Sequence, residues 1–354
     1  MKIAVYYHPK LYETDSHNYY KLWINALRER DIQVETLDFH HPYAFDKIRN
    51  CNGAMWHWTL NKKEKLSALK IIPSIQLGMG IPVFPDISTC WHYDEKLAQH
   101  FLLSATQAPK IKSWVFWKYD DAVEFIQTCS YPVIFKLSSG AGSANVVKIN
   151  SLNEAQAIVK KMFFEGFFPY TVNEYSQSQQ HGSLKQVLHR CKDSLKYILS
   201  NQYPPLPEHN RCSCLPHKNY VYFQEFMPGN TYDIRITVIG NRAFGFIRYN
   251  RQDDFRASGS GQFNTDPDHI PMEAVRIAHQ ISRQNGFQSM AYDFLRHTDG
   301  SYLVNEISYC FLNWTVHDCP GYWDRDLNWH DGYIWPEQAH VEDFLYYLRN
   351  GVKP

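Results

Sequence analysis

Between Met1 and Asp86 short β-branched and aromatic runs alternate with stretches of helical period, and that alternation limits what the chain can fold into. The runs are Lys2–Tyr7, Ile32–Leu37, Gly53–Trp58 and Pro82–Phe84. Tyr19, Leu22, Trp23, Ala26 and Leu27 mark a helix over Tyr19–Arg30, with Ser16 as its cap. Leu66, Leu69 and Ile72 mark a second over Lys62–Leu77. Strands separated by helices predict a parallel sheet, Rossmann-like in outline. No GxGxxG follows the first strand, so a dinucleotide site is not expected there.

From Asp94 the pattern changes. A helix over Asp94–Ser104, a strand over Ile111–Trp117 and a helix over Asp120–Thr128 lead to two strands, Pro132–Leu137 and Asn145–Ile149. The small residues Ser138–Ala144 join those two strands as a hairpin, so this region reads as α+β. Glu165–Lys218 is polar and irregular, with one helical candidate at Leu184–Leu199 and a proline-rich loop at Pro204–Pro207. Connections this long are usually functional or mobile. Strands resume at Tyr220–Phe226, Asp233–Ile239 and Ala243–Tyr249. Pro271 opens a helix running to about Gln284, closed by Asn285-Gly286. Ala291–Leu295 and Tyr302–Ile307 are strands around the turn Thr298-Asp299-Gly300. Cys310–Gly332 is rich in Trp, Tyr and His without a period, and a last helix spans Pro336–Leu348.

Charge excludes some function classes. Lys plus Arg and Asp plus Glu are 36 each, so no basic field favours nucleic acid. The N-terminus lacks the apolar core and cleavage site of a signal peptide. No stretch approaches the ~18 apolar residues of a membrane span. The eight cysteines are scattered apart from Cys212 and Cys214, which suits reduced thiols in a cytoplasmic protein.

Four groups of residues carry chemistry. Lys136 ends a strand and leads into the loop Ser139, Gly140, Ala141, Gly142, Ser143. Unhindered backbone N–H groups there can fold over phosphate oxygens while the lysine neutralises them. This is not a Walker A loop, which needs GxxxxGK[ST] before a helix. Asp293 and Glu306 flank a tight turn, and in an antiparallel hairpin both carboxylates can share a face, which suits Mg²⁺ beside nucleotide phosphates. Arg235, Arg248, Arg251 and Arg256 supply guanidinium forks of the kind that stabilise a transferring phosphoryl group. Gln224-Glu225-Phe226-Met227-Pro228-Gly229 is a strand running into a bend, able to present backbone groups to an adenine edge.

The order of these groups resembles the ATP-grasp superfamily. The segments that carry the resemblance are YPVIFKLSSGAGSANVVKI, VYFQEFMPGNTYDIRITVIG, DDFRASGSG and AYDFLRHTDGSYLVNEIS. The match runs from roughly Asp94 to Ser308, and Met1–Ile87 fits the Rossmann-like domain that precedes it. WHYDEKLAQHFLLSATQAPK and CPGYWDRDLNWHDG look like the RimK-like carboxylate–amine ligases found with bacterial surface-polysaccharide genes. The resemblance implies an α/β Rossmann-like pre-ATP-grasp domain over 1–90 and two α+β ATP-grasp subdomains over 91–228 and 229–354. It implies that Lys96, Lys136 and the 139–143 loop bind ATP phosphates, that Gln224, Glu225 and Phe226 meet adenine, and that Asp233 lies near the ribose or substrate edge. Arg248 and Arg256 would stabilise the transferring phosphate, and Asp293 and Glu306 would hold Mg²⁺, with Mn²⁺ as an alternative. Many members place Asn two residues after the second acid; here the residue is Ser308, which leaves the number of metal ions open.

The activity so implied joins a carboxylate, a sugar acid or an amino acid, to an amine through an acyl phosphate. A small-molecule kinase and a non-catalytic nucleotide-binding module are the alternatives, and a homodimer is a candidate assembly. Three further features stay open. His209, Cys212, Cys214 and His217 have zinc-ligand types but fit no standard finger spacing, so they read as a reduced loop or a zinc site. Trp314, His317, Tyr322, Trp323, Trp329 and His330 read as C-terminal packing or as a stacking surface. His8, His57 and Asn61 follow strand ends, where α/β folds place ligands, and are candidates for the acceptor.

Overall fold

The computed structural model describes residues 1–7, 19–58, 62–140, 145–167, 216–251, 254–257 and 260–354. The strands in chain order are β1 (Lys2–Tyr6), β2 (Gln33–Leu37), β3 (Gly53–Met55), β4 (Val83–Phe84), β5 (Ser113–Phe116), β6 (Val133–Lys136), β7 (Val146–Ile149), β8 (Val221–Glu225), β9 (Tyr232–Ile239), β10 (Arg242–Tyr249), β11 (Phe263–Asn264), β12 (Ser289–Arg296), β13 (Tyr302–Ser308), β14 (Gly321–Trp323) and β15 (Trp329–Asp331). The longer helices are α1 (Tyr19–Arg28), α2 (Lys62–Pro73), α3 (Lys96–Ala105), α4 (Tyr119–Thr128), α5 (Leu152–Phe164), α6 (Met272–Asn285) and α7 (Pro336–Asn350). The mixed α/β character follows the sequence reading.

The chain forms two compact units. Unit 1 comprises residues 1–93, 103–109 and 230–354; unit 2 comprises 94–102 and 110–229. The first and third segments marked out in the sequence, 1–90 and 229–354, thus lie in the same unit apart from Gly229.

Unit 1 holds two sheets. The first is parallel, in the order β2-β1-β3-β4, as the strand–helix alternation predicts. Helix α1 turns Tyr19, Tyr20, Trp23, Ile24, Ala26 and Leu27 inward. Gly53 opens strand β3 and lets the Phe344 ring of α7 approach closely: a Cβ there would stand 2.8 Å from it. The second sheet is antiparallel, β13-β12-β9-β10-β14-β15, with β11 beside β10. Helix α6 buries Ala274, Val275, Ala278 and Ile281, and it stops where Gly286 takes φ of 63°, the left-handed cap its sequence predicts. Pro271 stands one residue outside this helix rather than opening it. Two tyrosines sew the sheets together within the unit. Tyr309 donates its hydroxyl to the Trp58 carbonyl (2.9 Å), and Tyr19 donates to the Phe311 carbonyl (2.8 Å).

Unit 2 is built on an antiparallel sheet in the order β5-β8-β6-β7. Its alternating residues serve two faces. Val133, Phe135, Val147, Ile149, Val221 and Phe223 join a core with Ala122 and Ile126 of α4 and Ala155, Ile158, Val159 and Met162 of α5. Helix α5 is absent from the sequence reading although its start is signalled. The Ser151 hydroxyl accepts the Glu154 amide, and the Glu154 carboxylate reaches back to accept the Asn150 amide at 2.7 Å, one residue before the N-cap to which a capping box returns.

Candidate nucleotide and phosphoryl-transfer residues

On unit 2, strand register gathers the predicted residues on the face opposite the core. Lys148, Ile134, Gln224 and Ser113 stand side by side across β7, β6, β8 and β5, and Lys136 lies two residues from Ile134 on the same face. Lys136 and Gln224 are buried. The Gln224 amide lies 3.5 Å from the Ser113 hydroxyl, which itself donates to the Ile111 carbonyl. The Glu225 amide donates to the Lys112 carbonyl at 2.9 Å. Phe226 lies under the Lys148 ammonium, 4.0 Å from ring centre to Nζ. Lys148 was missed in the sequence, though a lysine inside the otherwise apolar run VVKI was a usable signal.

The start of the small-residue loop is held from several sides. Lys96 Nζ donates to the Gly140 carbonyl at 2.6 Å, and the Gly140 amide donates to Asp94 Oδ1 at 2.7 Å. The Ser138 amide donates to the Tyr220 hydroxyl at 2.9 Å, and Ser139 Oγ lies 3.1 Å from His217 Nε2. His217 thus belongs to this hydrogen-bonded cluster, with Nδ1 2.6 Å from the Tyr220 hydroxyl. Gly140 sits at φ of 130°, which favours glycine there. Lys96 is seen anchoring the loop backbone. Ala141, Gly142 and Ser143 lie outside the described residues, as do His209, Cys212 and Cys214 and the helical candidate at 184–199.

On unit 1, four charged side chains form a continuous network on β9, β10 and β12. Arg248 grips Asp233 with Nε and Nη2 (2.7 and 2.6 Å), and the same Nη2 reaches Asp293 Oδ2 at 2.7 Å. Arg235 grips Asp293 with Nε to Oδ1 (2.6 Å) and Nη2 to Oδ2 (2.8 Å). Asp233, Arg248 and Asp293 are buried. Burial works to raise the Asp293 pKa, but the Arg235 and Arg248 guanidiniums overcome it and hold the carboxyl well below the usual range. For Asp233 burial wins, and its carboxyl is pushed up despite Arg248. Arg248, beside both carboxylates, is held more firmly protonated.

Glu306 stands directly opposite Asp293 across β12 and β13, so the two acids share a face as the hairpin reading requires. The register shifts between Asp293 and Phe294: Asp293 faces Glu306 and Phe294 faces Val304, so Asn305 is the extra residue of a bulge. Two carboxylates side by side, with phosphate oxygens completing the shell, fit a Mg²⁺ ion. Among the described residues no group of three or more His, Cys, Asp or Glu gathers to hold a metal by itself. The Ser308 hydroxyl donates to the Cys310 carbonyl at 2.7 Å. Arg256 is held on the β10–β11 connection, where Asp254 accepts from Nε and Nη2 at 2.9 and 2.7 Å.

The other candidates resolve into packing where described. The His57 ring stacks on Tyr19 (3.8 Å between centres, 8° between planes), and burial pushes its pKa down to about 3, so it is a neutral packing group. His8 and Asn61 lie outside the described residues. In the aromatic tail, Tyr322 stacks on His330 and Trp323 packs on Trp329 across the β14–β15 hairpin, whereas His317 stacks on Trp335. Among the described residues no helix is long and apolar enough to cross a membrane.

No known family model matches the chain. Comparison with solved structures gives whole-length likeness. A RimK-domain ATP-grasp protein from Sphaerobacter thermophilus DSM 20745 superposes with a TM-score of 0.52 at 14% identity, over 98% of this chain and 100% of that one. D-cycloserine synthetase DcsG gives 0.56 at 13% identity, over 97% and 100%. The ATP-grasp ligase PsnB, solved with its minimal precursor, Mg and ADP, gives 0.54 at 12% identity, over 98% of both chains. The chain has the ATP-grasp fold. Among curated proteins, the alpha-aminoadipate–LysW ligase LysX of Saccharolobus solfataricus is 21% identical over 231 residues, 65% of this chain. The match spans 66% of that relative's length.

Proposed function

We propose that the protein is an ATP-dependent ligase that activates a carboxylate as an acyl phosphate and passes the acyl group to an amine. The observation that carries this reading is the unit 1 network: two guanidiniums and the register pair Asp293/Glu306 lie on neighbouring strands of an ATP-grasp fold. Phosphoryl transfer needs this equipment, because catalysis there rests on positioning and on neutralising the negative charge of the moving group. Arg248 and Arg235 supply fixed positive charge, and Asp233 keeps the Arg248 fork oriented. Mg²⁺ (or Mn²⁺), when bound, would be held by Asp293 and Glu306 and would neutralise charge at the phosphate oxygens. Lys136 and Lys96 with the 139–143 loop would hold nucleotide phosphates, while Gln224–Phe226 would meet adenine with Lys148 steadying Phe226. Arg256 would join the phosphate from its Asp254 clamp.

Residues 1–90 would serve as the pre-ATP-grasp domain, and 91–228 and 229–354 as the ATP-grasp subdomains. An enzyme spending ATP would work in the cytoplasm. The acid would be a sugar acid or an amino acid, and a place in surface-polysaccharide assembly rests on the RimK-like segments alone. A second reading, a non-catalytic nucleotide-binding module, is favoured by Ser308, whose hydroxyl is spent on the Cys310 carbonyl where many members carry Asn.

The test is a panel of sugar acids and amino acids labelled with ¹⁸O in the carboxylate, each offered with ATP, Mg²⁺ and amines. Ligation transfers one ¹⁸O into the released phosphate and requires the amine. A stable phosphorylated product formed without an amine would make the protein a kinase. Nucleotide binding without ADP release from any acid would favour the non-catalytic module.

A further inference from the structure

We infer that the Asp293 carboxylate is an exchange position, for which Arg235 and a divalent cation compete, so that cation binding hands the Arg235 guanidinium to the nucleotide phosphate. This rests on the ATP-dependent reading above and adds to the charge role of Arg235 its competition with the cation for Asp293.

The two arginines on Asp293 are not equivalent. Arg248 has a second carboxylate, Asp233, which takes its Nε and Nη2. Losing Asp293 would leave Arg248 paired in place. Arg235 has its bidentate grip on Asp293. Its side chain is also the more open, 19% exposed against 6% for Arg248. The oxygens differ in the same sense. Oδ2 receives both guanidiniums, whereas Oδ1 receives Arg235 Nε. Release of Arg235 therefore clears Oδ1, on the residue opposite Glu306, while Oδ2 stays with Arg248.

Charge balance favours the same exchange. Within the network Asp233 and Asp293 match Arg235 and Arg248 charge for charge. A divalent cation at Asp293 would leave that network with positive charge in excess. The surplus charge is the more weakly tethered Arg235, and a phosphate oxygen is the natural partner for a guanidinium fork. Arginine and metal then arrive at the phosphate together, and neither carboxylate is left uncompensated.

The experiment titrates Mn²⁺ and follows the free ion by electron paramagnetic resonance, with and without a β,γ-imido ATP analogue. Removing the competitor tightens the metal: R235Q should bind Mn²⁺ about tenfold more tightly than wild type without nucleotide, and bind the analogue about tenfold more weakly. R235K, with one ammonium in place of the fork, should fall between and carries the test if R235Q does not fold. Adding D293N to R235Q should abolish the gain. Unchanged or weaker Mn²⁺ binding in both Arg235 variants, or a gain that survives D293N, overturns the exchange. Wild-type protein that binds no analogue overturns the ATP reading itself, a result distinct from failure of the exchange alone.

Discussion

The two units hold their positive charge differently. On unit 2 Lys96 donates to the Gly140 carbonyl and Lys148 lies over the Phe226 ring. On unit 1 the arginines are cross-linked through carboxylates into a buried network. A lysine is a point charge on a flexible stem, whereas a guanidinium locks in a planar fork. A similar substitution should therefore act on binding in unit 2 and on folding in unit 1.

The largest effect should come from Arg248. Replacing it with Met leaves Asp233 buried without its fork and should cost about 3–5 kcal/mol of stability, read from denaturant unfolding. An R248M protein as stable as wild type would break the contrast. Next comes a second buried acid of unit 1. Glu337 accepts from Asn313 at 2.7 Å, and burial pushes its pKa from 4.5 up to about 7. The folded state therefore holds this proton more tightly than the unfolded chain. The associated stability is complete below about pH 4.5 and is lost as pH rises through about 7, a change on the order of 3 kcal/mol. Urea midpoints should show that fall for wild type and a flatter profile for E337Q; parallel profiles would remove Glu337 as a titrating group.

Unit 2 should respond in affinity instead. Lys136→Met should weaken binding of an ATP analogue roughly 10- to 100-fold, equivalent to about 1.4–2.8 kcal/mol, with stability changed by no more than about 1 kcal/mol. Loss of folding in place of loss of binding would mean that Lys136 is a structural ion. The smallest effect belongs to Lys148→Met, which removes a cation–π contact worth about 0.5–1 kcal/mol and should lower analogue affinity two- to fivefold, roughly. Calorimetric titration measures both.

Local pattern made most of the fold readable. The β12–β13 turn is signalled by Thr298-Asp299-Gly300, and the structure shows why: Asp299 accepts from the Ser301 amide and hydroxyl while Gly300 takes φ of 95°. The capping pair Ser151 and Glu154 is an equally local signal for α5. The β14–β15 hairpin is not readable by period, because its strands are three residues each, and cross-strand ring pairs line it. The candidate site divides in the same way. Asp293 and Glu306 belong to one hairpin, so their pairing follows from local sequence. The grip of Arg235 on Asp293 depends on β9 pairing with β12, and that of Arg248 on β10 flanking β9, a long-range arrangement of strands that no one segment encodes alone.

Nucleotide binding is read by calorimetric titration of the wild type, K136M and E306Q with the β,γ-imido ATP analogue and Mg²⁺. One saturable site is expected in the wild type, weakened by K136M on unit 2 and separately by E306Q on unit 1. No binding at millimolar nucleotide, or wild-type affinity in both variants, would contradict the ATP-dependent reading.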